Sequence, residues 1–218
     1  MASSNTEICN MALSHIGIGN EINNLTSEKS AEAGACRRFY EIARKQVLSD
    51  FSWPFATKFL SLALIEEDPT TEWAFSYRYP SDCLDFRRIL SGTRNDTKQS
   101  RIPFRLGNDD SGTLIYTDMQ DAIAEYTVDI SEVSRFASDF TLALSFLLAA
   151  LITPRMTGSD RFKISQQMYQ LYQAQLSMAK ANAMSEEQAD ELPQSEFIRA
   201  RTDGVDTIDD ILSRLNPA

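Results

Sequence analysis

The sequence predicts an α+β fold that combines a mainly helical bundle, an inserted small antiparallel β unit and an extended C-terminal arm. Both ends of the folded part show apolar residues at helical spacings of three and four, and the middle shows strict alternation. The last part of the chain is acidic, with few apolar residues. We therefore divide the 218 residues into a bundle body (1–56 and 133–184), a β insertion (57–132) and an arm (185–218). The hydrophobic fraction of 43% is that of a globular protein with a substantial core.

Two helices are predicted at the start of the chain. Ser4 and Glu7 have the spacing of a capping box, and Gly17 and Gly19 are typical of a helix end. A second helix is predicted from about Ser27 to Asp50. We expect its apolar stripe to consist of Ala31, Ala35, Phe39, Ile42 and Gln46.

An aromatic cluster follows the second helix. Phe51, Trp53, Phe55 and Phe59 lie around Pro54, which cannot continue a helix interior. Since the cluster lies next to a predicted strand, we assign its rings mainly to the core and not to a surface that stacks on bases.

Residues from about 60 to 130 indicate strands. The segment Trp73–Tyr79 alternates aromatic with small or polar residues, as in a strand with one buried face. Turn residues occur at Gly92 and in the segment Gly107–Gly112. The other strand candidates are the alternating Leu60, Leu62 and Leu64, and the segments Phe86–Leu90, Ile102–Leu106, Thr113–Thr117 and Ala122–Asp129.

Two further helices and the arm complete the prediction. A helix from about Ser134 to Pro154 is apolar on nearly all sides and should be central. A longer helix is predicted from Asp160 to Met184. Its predicted core stripe is Phe162, Met168, Leu171, Tyr172, Leu176 and Ala179. In the arm, Asp206–Leu215 has the spacing of a short amphipathic helix. The predicted partner contacts of the arm are Phe197, Ile198, Ile208, Ile211, Leu212 and Leu215.

The distribution of charge bears on the partners. A net charge of −10 argues against a sequence-reading DNA binder, which needs clustered Lys and Arg. Residues 35–59 carry five basic and two acidic residues, whereas residues 186–218 carry three basic and nine acidic ones. We expect Arg37, Arg38 and Arg44 to pair with acids of a neighbouring helix or subunit, in preference to nucleic acid.

The residue types needed for most catalytic sites are scarce. His15 is the single histidine, and we expect it to be a packed or interfacial ring. Cys9, Cys36 and Cys83 are widely spaced, as in a protein with buried thiols. We therefore predict a protein that is not an enzyme, with no catalytic, cofactor or metal site. The polar N-terminus and the short apolar run Leu142–Ile152 predict neither a signal peptide nor a membrane span.

Several short motifs occur in a characteristic order between about residues 5 and 185. They are Ala12-Leu13 with Ile16-Gly17, the run from Ala33 to Arg44, Trp53-Pro-Phe-Ala56, Tyr79-Pro80 with Asp82-Cys-Leu84, Gly112-x-Leu-Ile-Tyr-Thr-Asp118, and a Leu/Ala-rich helix ending at Pro154. In this order and spacing, the chain resembles the tail tubular protein A family of short-tailed bacteriophages, the head-to-tail adaptors of the phage neck. The acidic tail after Ser185 departs from the family pattern.

The resemblance implies a structural role. Copies of the chain would form a ring beneath the portal protein, with twelve as the expected number, and would join it to the tail nozzle protein. The ring would continue the channel through which double-stranded DNA passes without sequence-specific binding, in a virion assembled in the host bacterial cytoplasm. The alternatives are another neck or head-completion (stopper) protein, a virion-associated hydrolase and a nucleic-acid-binding accessory protein.

Overall fold

The computed structural model describes residues 4–92, 102–156 and 160–186, and it confirms the mixed α+β class. Within these residues there are four α-helices and seven strands. The helices are α1 (Asn5–His15), α2 (Ala31–Asp50), α3 (Ser138–Met156) and α4 (Arg161–Glu186). The strands are β1 (Thr57–Ser61), β2 (Leu64–Glu67), β3 (Phe75–Arg78), β4 (Cys83–Leu90), β5 (Phe104–Asp109), β6 (Gly112–Thr117) and β7 (Ile123–Val128).

Helix α1 begins and ends as its sequence predicts. The Ser4 Oγ accepts a hydrogen bond from the backbone N–H of Glu7 at 3.2 Å, which satisfies one of the free donors of the first turn. At the other end Gly17 adopts a φ of 78°, a left-handed conformation that costs glycine little. The Ile18 N–H then donates to the Leu13 carbonyl at 3.0 Å and closes the helix.

Helix α2 begins four residues later than predicted and buries a different face. The Asn24 side chain accepts from the N–H groups of the next turn, and Ser30 is the residue that caps the helix. Of the predicted stripe, Ala35 is buried and Phe39 packs against the core, but Ile42 is 57% exposed and Gln46 is also exposed. The buried face of α2, which packs mainly against α3, consists of Ala33, Ala35, Cys36, Tyr40, Ala43, Arg44, Val47 and Leu48.

The strands form two antiparallel sheets. The three-stranded sheet has the order β1-β7-β4, and the four-stranded sheet has the order β2-β3-β6-β5. The chain crosses from one sheet to the other between β1 and β2, where the Leu62 N–H donates to Ala122 and the Ala63 carbonyl accepts from Arg78. The turn predicted over Gly107–Gly112 is shorter than expected, because β5 continues to Asp109.

Helix α3 is central and buried, as predicted. Eleven of its residues are buried, including Phe140, Leu144 and Leu148. Pro154 lies inside the helix and does not end it, because the Ala150 carbonyl that a proline leaves without a donor accepts from the Ser165 hydroxyl at 2.8 Å. By length and composition α3 could cross a membrane, and 61% of its apolar window is buried inside the fold.

Helix α4 buries only part of its predicted stripe. Met168, Tyr172 and Ala179 are buried, and the Tyr172 hydroxyl donates to the Asp50 carboxylate at the end of α2. Phe162 and Leu171 are exposed, which corrects the prediction. These two residues lie on either side of the buried face. They are exposed because a helix that packs against one side of a core buries a narrower strip than its apolar residues suggest.

Candidate assembly surfaces

Arg44 is buried inside its own chain. It is 2% exposed, and its guanidinium donates to the Glu41 carboxylate, the Asp129 carboxylate and the Ile130 carbonyl. Burial disfavours the charged form of Arg44, but its hydrogen bonds with Glu41 and Asp129 favour this form more strongly. The pKa of Arg44 is therefore raised. The prediction of a subunit contact is therefore wrong for Arg44, which ties α2 to the end of β7.

Arg37 and Arg38 remain on the surface of α2. The Arg37 Nη1 donates to the carbonyls of Leu25 and Glu28, at 2.6 and 2.7 Å, and so holds the loop before the helix. Arg38 is exposed and has no hydrogen bond or ion pair with the described residues. Ile42 lies one turn further on, so Arg38 and Ile42 form a mixed basic and apolar surface. The predicted arm contacts lie outside the described residues: Phe197, Ile198, Ile208, Ile211, Leu212 and Leu215.

The aromatic cluster belongs to the core except for one ring. The Trp53 indole N–H donates to the Val47 carbonyl at 2.8 Å, and its ring meets Phe140 edge-on with centroids 5.2 Å apart. Phe51 and Phe55 pack against the same core. Phe59 is different because it lies on β1 and is 58% exposed.

His15 is a packed ring, as predicted. Its imidazole stacks on Phe146 with centroids 4.4 Å apart, and its Nε2 lies 3.0 Å from the Ser145 Oγ. The Ser145 hydroxyl donates to the Leu142 carbonyl, so its oxygen is left to accept from the histidine. Burial lowers the pKa of His15. Because Ser145 is fully buried, its hydroxyl is not accessible to a substrate.

The three cysteines are free. Cys9 and Cys36 are buried, and Cys83 is half-buried. A hydrogen bond with Cys36 and burial raise the pKa of Cys9, which keeps this thiol protonated. In the part of the chain that the structure describes, no group of three or more His, Cys, Asp or Glu side chains could hold a metal ion.

A shallow cleft of about 600 Å³ lies where the two sheets meet. Its walls are the β1–β2 crossing, the β3–β4 loop and the β5–β6 turn. Arg78 pairs with Asp109 at 3.0 Å, and Lys58 pairs with Asp82 at 2.7 Å. These hydrogen bonds lower the pKa of both carboxyl groups. The two acids are therefore ionised at neutral pH, and neither is poised as a general acid.

The most informative surface feature is one that the sequence analysis missed. Large apolar side chains are exposed on α2, on both sheets and on α4, so they cover more than one face of the molecule. They are Ile42, Phe59, Leu60, Leu64, Ile65, Leu106, Ile123, Phe162, Tyr169, Leu171 and Met178. One signal was available, since in the segment from Phe59 to Ile65 every residue except Ser61 is apolar, which is more than one buried face needs. Exposed apolar groups of this extent indicate interaction surfaces.

Comparison with protein-family models and with curated proteins finds no match for the chain.

Proposed function

We propose that this chain is a structural protein of the phage neck, a head-to-tail adaptor that forms a ring between the portal protein and the tail nozzle. The ring continues the DNA channel, and the chain has no enzymatic activity. The proposal combines the order of the sequence motifs with one structural observation, the apolar side chains exposed on several faces.

Several exposed apolar faces support assembly with more than one neighbour. A subunit of a ring needs two different surfaces for its two neighbours, and an adaptor needs further surfaces for the components above and below. The exposed residues lie on α2 (Ile42), on the sheets (Phe59, Leu106) and on α4 (Phe162, Met178). A small-molecule enzyme needs one cleft and no such set of surfaces.

Each part of the chain has a role in this proposal. The helical bundle body (1–56 and 133–184) forms the wall of the ring, and the β insertion (57–132) faces a neighbouring subunit or the nozzle. The extended C-terminal arm (185–218) docks against the portal, where it gains affinity by acting in many copies. The net charge of −10 suits a channel that DNA passes without binding to its wall.

The closest rival is another neck or head-completion protein, because it would need the same kinds of surface. Copy number in purified particles separates the two. A DNA-binding role is less well supported, because Arg44 is buried and Arg37 is bonded to its own loop.

Imaging of purified particles tests the proposal directly. We expect a ring of this chain between the portal and the nozzle, and we expect particles made without it to be DNA-filled heads that lack tails. A position of the chain elsewhere in the particle, or normal tails in its absence, would refute the adaptor role.

Removal of residues 187–218 tests the role of the arm. These residues follow α4, so we expect the variant to unfold at the same temperature as the full chain and to bind the portal much more weakly. Circular dichroism during heating measures the first property, and co-sedimentation with purified portal measures the second. Unchanged portal binding would remove the arm from this interface.

A further inference from the structure

The four-stranded sheet ends in two edge strands that run in opposite directions. Its order is β2-β3-β6-β5, and each neighbouring pair is antiparallel. In the described part of the chain, neither β2 nor β5 pairs with a strand on its outer side. Edge strands offer unpaired N–H and C=O groups to a further strand. A second copy placed beside the first in the same orientation would therefore bring its β2 antiparallel to β5.

One row of apolar side chains crosses this sheet and stops at both edges. Leu64 faces Tyr77, Tyr77 faces Ile115, and Ile115 faces Leu106. The two inner residues are 2% and 0% exposed, whereas Leu64 and Leu106 are 48% and 47% exposed. Each edge leucine is exposed because it lacks a cross-strand neighbour on one side. A second copy that adds to the sheet would supply this neighbour and continue the row.

The adjacent row carries opposite charges at its two ends. Glu66 faces Ser76, Ser76 faces Tyr116, and Tyr116 faces Arg105. The sheet therefore has an acid at its β2 edge and a base at its β5 edge. A bulge at Ile65 separates Leu64 from Glu66, so a single alignment of β5 with β2 completes both rows.

We propose that β5 of one copy pairs with β2 of a second copy, so that the four-stranded sheet continues from subunit to subunit. Leu106 then lies opposite Leu64 of the second copy, and Arg105 lies opposite Glu66 of the second copy. Opposite charges on a pair of facing residues stabilise a sheet, and like charges destabilise it. The pairing is antiparallel, like every other pair in the sheet.

The charges also select the symmetry. A two-fold dimer through β2 would pair two edges that both carry Glu66 and Glu67, and a dimer through β5 would pair two edges that both carry Arg105. Head-to-tail addition avoids both, and head-to-tail contacts produce rings or filaments. Arg105 already lies 3.6 Å from Glu72, but both side chains are about 70% exposed, so this contact competes weakly.

The closure of the sheet into a ring rests on the proposed function. The pairing of β5 with β2 does not, because it can be measured on the purified protein alone.

Charge reversal tests the pairing through sedimentation of concentrated protein. Glu66→Arg and Arg105→Glu should each weaken self-association at least about fivefold, because each gives a copy two edges of the same sign. The double variant should regain association, and so should an equimolar mixture of the two single variants. Glu132→Arg and Arg155→Glu, which reverse exposed charges away from the sheet, should have no effect.

A disulfide test defines the register. Facing residues of an antiparallel pair have Cα atoms about 4.5–5.5 Å apart, a distance that a disulfide spans. Under oxidation the double variant Leu64→Cys/Leu106→Cys should give a ladder of linked multimers on a non-reducing gel. Each single variant should give only the background of the wild-type chain with its three cysteines.

The outcomes separate the pairing from the neck role. Dimers from Leu64→Cys alone would show two-fold pairing and overturn the proposal, as would the absence of a ladder from the double variant. The failure of a mixture of Glu66→Arg and Arg105→Glu chains to associate would also overturn it. A ladder from a chain that forms no ring in particles would keep the pairing and reject the adaptor function.

Discussion

The helical region and the two sheets differ in how completely one chain buries its apolar side chains. Around α3 the core is closed, because α1, α2 and α4 all contribute to the same buried cluster. In the sheets a smaller cluster lies at the centre, and the rows of side chains end in exposed residues such as Leu64 and Leu106. The helices thus provide stability within the chain, whereas the sheets leave surfaces that another chain can complete.

The difference in burial between the helical region and the sheets follows from the geometry of helices and sheets. A helix that is apolar on nearly all sides, like α3, must be surrounded, and helices packed on several of its sides achieve this. An open sheet always keeps two edges, whatever its sequence. Each edge of the four-stranded sheet carries an exposed leucine, and the two edges carry opposite charges at Glu66 and Arg105, so one edge complements the other.

The largest expected effect comes from Trp53 in the helical region, and Phe59 in the sheets is the residue with which we compare it. Trp53 is 3% exposed and Phe59 is 58% exposed, although they are six positions apart. We expect Trp53→Ala to lower the free energy of unfolding by about 3–5 kcal/mol, because it leaves a cavity against Phe140 and an unpaired Val47 carbonyl. Phe59→Ala should change the same quantity by less than about 0.5 kcal/mol. Urea unfolding measures both.

A near-native stability of Trp53→Ala would mean that the aromatic cluster is not part of the closed core. The reverse result for Phe59, a loss of several kcal/mol, would mean that the edge of the three-stranded sheet is already covered within one chain.

A smaller effect is expected at the contact between the two regions. Arg44→Met removes the donors of Asp129 and Ile130, and we expect it to lower the free energy of unfolding by about 2 kcal/mol, since the acids it leaves behind are partly exposed. Lys45→Met is the matched control, because its ammonium lies 3.3 Å from the same Asp129 but is half-exposed. The control should lose less than about 1 kcal/mol.

Acid should weaken the same contact. Burial alone would raise the pKa of Asp129, but its hydrogen bond and ion pair with Arg44, aided by Lys45, lower it. A carboxyl group with a lowered pKa stabilises the fold fully above its unfolded pKa of about 3.9, and this contribution is lost as the pH falls further. The stability difference between the wild type and Asp129→Asn should therefore shrink below about pH 4. A difference that stays constant from pH 6 to pH 3 would show that Asp129 is not held as an ion.

Much of this architecture is predictable from local chemistry. The Ser4 cap, the glycine stop of α1, the buried α3 and the antiparallel strands each depend on residues close in sequence, so their patterns carry the prediction. The packed state of His15 was also predicted, because a lone histidine on an amphipathic helix lacks the partners of a catalytic site.

The wrong predictions concern which side chains of a helix are buried within the chain and which are exposed. Ile42 was assigned to the buried stripe from its helical spacing, yet α2 buries the face that carries Cys36, Tyr40 and Val47, and this choice depends on helices distant in sequence. Arg44 was assigned to a subunit contact from its charge. Its partner within the chain, Asp129, is 85 residues away, so local sequence gave no sign of the pair. The charged and apolar rows of the sheet require the strand order and the bulge at Ile65, neither of which is present in local periodicity.

The smallest expected effect tests how well the helical region excludes water. Burial lowers the pKa of His15, so its NMR titration midpoint should lie below the ordinary value of about 6.5. The chain has a single histidine, so one imidazole signal reports this site alone. Phe146→Ala should raise the midpoint, because it uncovers the face on which the ring stacks. Phe162→Ala, which changes an exposed ring on α4, should leave it unchanged.

The sign of this shift links the titration to stability. With its pKa lowered in the folded state, His15 favours folding above its unfolded pKa, and this contribution decreases as the pH falls from about 6.5 towards the folded value. A midpoint at or above the ordinary pKa would mean that water reaches the ring between α1 and α3. The closed core of the helical region would then be open to solvent at this position, which would weaken the contrast with the unfinished sheets.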